Sequence, residues 1–301
     1  MKNKIQVITR REFIRTTTQA SIAIALGTPL LAQQGKTAAK VASVVLIRHP
    51  EATSADRRVN DSVVSQMLDE AVSRLYNTKG ASEAWKQLIS PKDIVGIKSN
   101  VWGPLPTPKA LEENIVKHVV EVGVDKKNIS VDDRGIRGNK VFQNSTALIN
   151  IRPMRTHHWS GVGSCLKNYI MFDSQPSKYH PDSCASLGAL WHLPHVKGKT
   201  RLNFLVLLTP LFHGIGPHHW DLKYTWGYNG ILVSTDPVAA DTVGLKIIES
   251  YRLKYFGKEK PLWPPAKHIS QADLKYKVGV SDLNKIDIIK LGWDEDILIE
   301  S

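Results

Sequence analysis

The segment from Arg201 to Leu208 constrains the fold more than any other part of this chain, because it is apolar at Leu202 and at every position from Phe204 to Leu208. Side chains on a β-strand alternate between two faces. A strand that is apolar on both faces must be covered on both, as in a sheet packed between helices. Other segments supply the elements this requires. Val41 to Arg48, Asp93 to Ser99, Asn128 to Val131, Tyr228 to Ser234 and Ile286 to Leu291 read as further strands. Asp61 to Tyr76 carries Val64, Met67, Leu68, Ala71, Val72 and Leu75 at helical spacing, and Pro108 to Val122 does the same with Leu111, Ile115, Val119 and Val122. Asp236 to Tyr251 reads as a helix with Pro237 in its first turn. Strands alternating with helices predict an α/β layered fold, with a largely parallel or mixed sheet flanked by helices. In such folds ligands bind outside the carboxyl ends of the strands.

The N-terminus has a separate logic. Lys2, Lys4, Arg10, Arg11 and Arg15 make a basic start, and a small-residue apolar run follows from Ala20 to Ala32. That run is too short to span a bilayer, which takes about 20 predominantly apolar residues. Basic start, short apolar core and small-residue end describe a signal peptide. Arg10-Arg11 followed by Glu12, Phe13 and Ile14 resembles the twin-arginine export signal. Residues 1–32 are therefore expected to be a cleaved twin-arginine signal peptide, with cleavage after Ala39 as the alternative. Residues 33–40 read as a flexible lead and 41–301 as a single α/β domain. The expected address is the periplasm or another exported compartment. The expected partner is the twin-arginine translocase during export, with no permanent membrane anchor.

The formal net charge of the 301 residues is +12, and removal of residues 1–32 takes away five Lys/Arg and one acidic residue, leaving +8. This excess favours anionic ligands. No Lys/Arg block interleaved with aromatics occurs, so no nucleic-acid partner is expected. Cys165 and Cys184 are the two cysteines, and a disulfide or a pair of buried thiols both fit. Without a Cys-x-x-Cys there is no iron–sulfur cluster motif. A Gly-x-Ser-x-Gly elbow and a dinucleotide fingerprint are also missing.

Chemistry-bearing residues gather at the expected strand ends. Lys98 and Asn100 close one strand, and Asp132 and Asp133 close the next. Adjacent carboxylates there suit a divalent metal or acid/base work, and a plain turn accounts for them equally well. His157 is a candidate metal ligand or general base. Gly161 and Gly163 lead into Lys167 and Asn168, an arrangement that can hold an anion on backbone N–H groups or simply cap a surface helix. His213, His218 and Asp221 lie in a Gly/Pro-rich loop and include the ligand types of a transition-metal site. Asp236 suits the N-cap of the following helix. Asp241 lies one turn inside it, where a carboxylate needs a partner or water.

Several of these blocks, in order, resemble the domain-of-unknown-function family numbered 362. Ile94 to Asn100 is similar to its strand ending in Lys-x-Asn. Arg155-Thr156-His157 with Cys165-Leu166-Lys167-Asn168 resembles its Lys-Thr-His and Lys-Asn blocks. Asp236-Pro237-Val238-Ala239-Ala240-Asp241 resembles its Asp-Pro-Val-Ala-x-Asp block, and Lys267-His268-Ile269 its late helix. Arg155 stands where the family usually has Lys, and Thr209-Pro210 where many members carry an Asp-rich turn. The resemblance implies an α/β fold from about Val44 to Gly292 and a site at these blocks. Many members also carry a ferredoxin module, which is not expected here.

Together these readings predict an exported, metal-assisted enzyme, hydrolytic or redox, acting on a small anionic substrate. His157, Lys167 and Asn168 would be catalytic, and Asn100, Lys98, Arg155 and Asp236 would bind ligand. Asp132, Asp133, His213, His218, Asp221 and Asp241 would hold a divalent metal of unstated identity. The alternative is a non-catalytic metal- or ligand-binding maturation factor for an exported partner.

Overall fold

The computed structural model of the protein describes residues 42–214 and 220–299. The expected signal peptide, its cleavage sites, the lead segment and His218 lie outside the described residues.

Eight strands form one sheet: β1 (Ala42–Arg48), β2 (Val95–Lys98), β3 (Ile129–Asp132), β4 (Ala147–His157), β5 (Gly161–Gly163), β6 (Thr200–Leu211), β7 (Gly230–Ser234) and β8 (Ile286–Gly292). Their order is β3-β2-β4-β6-β7-β1-β8, with β5 paired to β4. The pairs β2/β3, β2/β4, β4/β6 and β1/β8 are parallel, whereas β7 runs antiparallel to β6 and β1, and β5 antiparallel to β4. The sheet is thus mixed and mostly parallel, as the strand–helix alternation predicts.

β6 shows why the sheet needs two covers. Leu202, Phe204, Val206 and Leu208 enter one core, with residues of α1 (Asp61–Leu75), α2 (Ala81–Leu88) and α3 (Lys109–Glu121). Leu205 and Leu207 enter a second core on the opposite face. Val238, Val243, Ile247 and Ile248 of a long helix fill that second core; α4 (Lys140–Gln143) and α5 (Cys165–Asn168) precede this helix, α6 (Pro237–Phe256), and α7 (Lys267–Leu274) follows it. Asp236 caps α6 through Val238 N–H and Ala239 N–H, and Gly257 ends it at φ 65.

β4 does not stand out in the sequence, although all eleven of its residues are buried. Pro153 and two arginines interrupt its apolar pattern, and a proline cannot donate to a sheet ladder. The structure accommodates it with a register shift against β6 between Pro153 and Arg155. The eight-residue α2 is another element the periodicity misses; it is held by the fully buried Trp85.

A polar row crosses the sheet at one register. Asp132 pairs with Lys98, Lys98 with Asn150, Asn150 with Asn203, and Asn203 with Ser234. Asn150 Nδ2 donates to Asn203 Oδ1 at 3.0 Å, and Asn203 Nδ2 donates to Ser234 O at 3.2 Å. Buried amides of this kind are tolerable only when satisfied.

No helix among the described residues is long and apolar enough to cross a membrane. α6 lies close against β6, because a Cβ on Gly244 would sit 2.5 Å from Leu205 Cδ2. Gly244→Ala is therefore expected to destabilise the protein by roughly 1–3 kcal/mol through overpacking. Gly80→Ala, where a Cβ meets nothing within 4 Å, is the control. Urea denaturation of both variants checks the difference.

Candidate functional site

The carboxyl ends of β2, β3 and β4 open into one cleft of about 330 Å³. Asn100 follows β2, Asp133 follows β3, and Arg152, Arg155 and His157 come from β4. Gly161, at φ +71, turns the chain back into β5, which leads directly to Lys167 and Asn168 of α5. Trp102, Trp159 and His180 complete the rim from neighbouring loops.

Two carboxylates at this site are taken up by structural contacts. Asp241 is fully buried and accepts from Ser164 Oγ at 2.6 Å, Cys165 N at 2.8 Å and Leu166 N at 2.9 Å. It thereby caps α5 from across the core and fixes the turn that carries Lys167. Burial pushes its carboxyl up to about 6, against the pull of those three donors and Arg152. Asp133 accepts from Lys98 Nζ at 2.5 Å and from Val101 N at 3.0 Å. Burial works to raise its pKa, but the Lys98 ammonium, the Val101 N–H and Arg152 together hold it below the usual carboxylate range.

The cations are deeply placed. Lys98 is fully buried and also donates to Ser99 O at 2.7 Å and to Asn168 Oδ1 at 3.4 Å. Burial lowers its pKa to about 8 against the attraction of Asp133. Arg155 donates to Asn100 Oδ1 at 3.0 Å and lies 4.3 Å above the Trp102 ring. Its pKa is lowered by burial and by Arg152. The Nε atoms of Arg152 and Arg155 are buried without a hydrogen-bond partner. Lys167 is 3 % exposed and donates to Cys184 Sγ at 3.6 Å. Burial brings it to about 8, with Arg152 and Arg155 pushing the same way.

His157 is held neutral by burial and by Lys167, Arg152 and Arg155. Trp159 N donates to its Nδ1 at 3.2 Å, so the neutral ring carries its proton on Nε2 and is a hydrogen-bond donor at that atom. His180 is likewise neutral near pH 7, lowered to about 4 by burial, Lys167 and His158.

The residues expected at the site divide clearly. Asn100, Asp133, Arg155, His157, Lys167 and Asn168 line the cleft. Lys98 lies beneath it, and Asn168 acts as a clasp, donating through Nδ2 to Lys98 O at 3.1 Å and to Asn150 Oδ1 at 2.9 Å. No three of the described residues expected to hold a metal, Asp132, Asp133, His213, Asp221 and Asp241, stand together as a metal-binding group. Asp132 faces a turn, accepting from Gly135 N and Asn139 Nδ2. Asp221 pairs with Lys223 at 2.9 Å and caps the turn that follows it. His213 Nδ1 lies 3.2 Å from an Arg252 nitrogen, and Asp236, expected to bind ligand, accepts from Val238 N, Ala239 N and Val280 N. Among the described residues no three His, Cys, Asp or Glu side chains form a group that could hold a metal ion. The cysteines are free thiols, both buried. Sequence reasoning missed Arg152, whose signal was the alternation Ile149-Asn150-Ile151-Arg152, and it missed Trp102, Trp159 and His180, which carry no local signal.

One family model, described as "Domain of unknown function (DUF362)", matches residues 125–246, a span that contains β3 to β7 and the cleft residues from Asp133 onward. No curated protein and no solved structure matches the chain.

Asp241→Ala leaves the Ser164 hydroxyl and two backbone N–H groups without an acceptor in the core. A loss of roughly 3 kcal/mol is expected from such orphaned groups, read as a shift in the urea midpoint. The pH response has a definite sign. The folded pKa of Asp241 is raised from 3.8 to about 6, so its stabilising contribution is full below 3.8 and is lost as pH rises through about 6. Asp241→Asn should remove that decline between pH 4 and 6.

Proposed function

We propose that this protein binds a small, multiply charged oxyanion ligand in the strand-end cleft. One observation carries the reading: Arg134, Arg152, Arg155 and Lys167 line the cleft with a single carboxylate, Asp133, and that carboxylate is already paired with Lys98. Arg152, Arg155 and Lys167 are buried, and buried cations are costly unless a counter-charge meets them. A carboxylate, sulfate or phosphate group supplies it, since guanidinium forks match such oxygens two at a time. The unpartnered Nε atoms of Arg152 and Arg155, together with the Nε2–H of neutral His157, support the same ligand class. A cleft this rich in positive charge repels a bare divalent cation, so the reading contains no metal.

We further propose that the protein reaches an exported compartment by the twin-arginine route. Arg10-Arg11-Glu12-Phe13-Ile14 and the apolar run to Ala32 support this.

Sulfate is the right probe for the cleft, because it does not titrate near neutrality. Calorimetry should detect saturable binding, and Arg155→Met should weaken it about tenfold or more through the loss of a charged hydrogen bond. Affinity should fall as pH rises past about 8, where Lys167 loses its positive charge. Absence of saturable binding to the wild type overturns the reading. For export, replacing both Arg10 and Arg11 by Lys should retain the protein in the cytoplasmic fraction. Undiminished export of that variant would rule out the twin-arginine route.

A further inference from the structure

We propose that Lys167 is a nucleophilic amine that captures the carbonyl carbon of a small oxo acid, a molecule whose carbonyl stands next to a carboxylate held by Arg152 and Arg155. The proposal rests on the oxyanion reading of the cleft and deepens it from ligand class to reaction.

Two buried lysines at this end of the sheet have opposite surroundings. Lys98 meets three oxygen acceptors, on Asp133, Ser99 and Asn168, one for each of its N–H bonds. Its ammonium is fully used and its charge is balanced. Lys167 lines the cleft itself, and its hydrogen bond runs to a thiol sulfur, Cys184 Sγ, at 3.6 Å. Sulfur is a weak acceptor. Cys184 favours the charged form, but burial, Arg152 and Arg155 oppose it and prevail. Burial and like charges favour the neutral amine, the form with a lone pair to give. With the pKa lowered from 10.5 to about 8, the neutral fraction at pH 7 is on the order of 100-fold larger than for an exposed lysine.

The position of the amine is also fixed. α5 is capped by Asp241 and clasped by Asn168, so Lys167 is delivered from a short helix held at both ends. Cys184 is held beside it by three consecutive residues with left-handed backbone, Asp182, Ser183 and Cys184, at φ 52, 55 and 61. Such non-glycine conformations persist only when tertiary packing imposes them.

The step balances without a further reagent. The Nζ lone pair forms a bond to the carbonyl carbon, the π pair of the C=O moves to oxygen, and one N–H proton passes from nitrogen to that oxygen. The resulting carbinolamine loses its hydroxyl together with the remaining N–H proton as water, while nitrogen forms a double bond to carbon; a proton from solvent then charges the imine. Amine and carbonyl thus give an imine and one water. The carboxylate of the oxo acid, held on the two guanidinium groups, offsets the charge of the protonated imine.

The test uses glyoxylate with sodium cyanoborohydride, which reduces an imine to a stable carboxymethyl-lysine, followed by peptide mapping of the wild-type protein. The expected result is modification of Lys167 well ahead of the exposed lysines, suppressed by sulfate. Arg155→Met should slow capture at Lys167 and leave the labelling of exposed lysines unchanged. Lys167→Arg, with its folding checked by urea denaturation, should lose the fast label. Two results overturn the proposal and differ in what else they remove. If Lys167 reacts no faster than exposed lysines while sulfate still binds, the amine chemistry falls and the oxyanion site stands. If sulfate neither binds nor protects, both fall.

Discussion

The polar row Asp132–Lys98–Asn150–Asn203–Ser234 crosses the centre of a sheet whose two faces are otherwise packed with apolar side chains, and the cleft depends on it. In a low-dielectric interior each such group is costly alone and strengthening in company. The row is satisfied internally by amide-to-amide and amide-to-carbonyl bonds, and Asn168 ties it to α5. Asp133, one residue beyond β3, balances the charge of Lys98. The short helix bearing Lys167 is therefore anchored at one end by this row and at the other by Asp241. Two buried polar systems, not apolar packing alone, decide where the side chains of the cleft stand.

This arrangement explains the electrostatic imbalance of the cleft. The carboxylates nearest to it are consumed by structural work: Asp241 by three donors of α5 and its lead-in, Asp133 by Lys98 and Val101. Among the described residues Arg152, Arg155 and Lys167 form no ion pair, and Asp133 and Asp241 act on the two arginines only at longer range. A protein interior does not normally retain that much uncompensated positive charge unless a ligand supplies the difference. The neutral state of His157 and His180 follows from the same surplus, because each sits in the field of Lys167.

How much of this was legible in the chain depended on whether the signal was periodic or positional. β6 announced itself through unbroken apolarity, and α1 and α3 through helical spacing, because burial on one or two faces writes a regular pattern. β4 did not, since its inward face carries Asn150 and Arg152 and its ladder is interrupted at Pro153. A strand whose polar side chains are satisfied by tertiary partners looks like a loop until those partners are known. At the site, Arg155, His157, Lys167 and Asn168 were recognisable as a cluster close in sequence. The described members of the expected metal set form no group of three. Asp132 and Asp221 from that set, and Asp236 from the expected ligand-binding set, are the acceptors of local turns and caps, a role that uses the same residue type as a ligand-holding carboxylate and leaves no different mark in one sequence.

The chain by itself determined the layered α/β class, the mostly parallel sheet and the end of that sheet where polar groups collect, because apolar periodicity and strand-end position are local properties. Charge composition also pointed to an anionic ligand, with +8 remaining beyond residue 32. Only the tertiary structure decided which cations lack a partner, since pairing depends on residues far apart: Lys98 with Asp133, and Asp241 with the start of α5 some 75 positions earlier. Arg201–Leu208, the run that forces two apolar layers, thus fixes where the core lies. The assignment of each buried charge to structure or to ligand arises from contacts that close only when those layers have been packed.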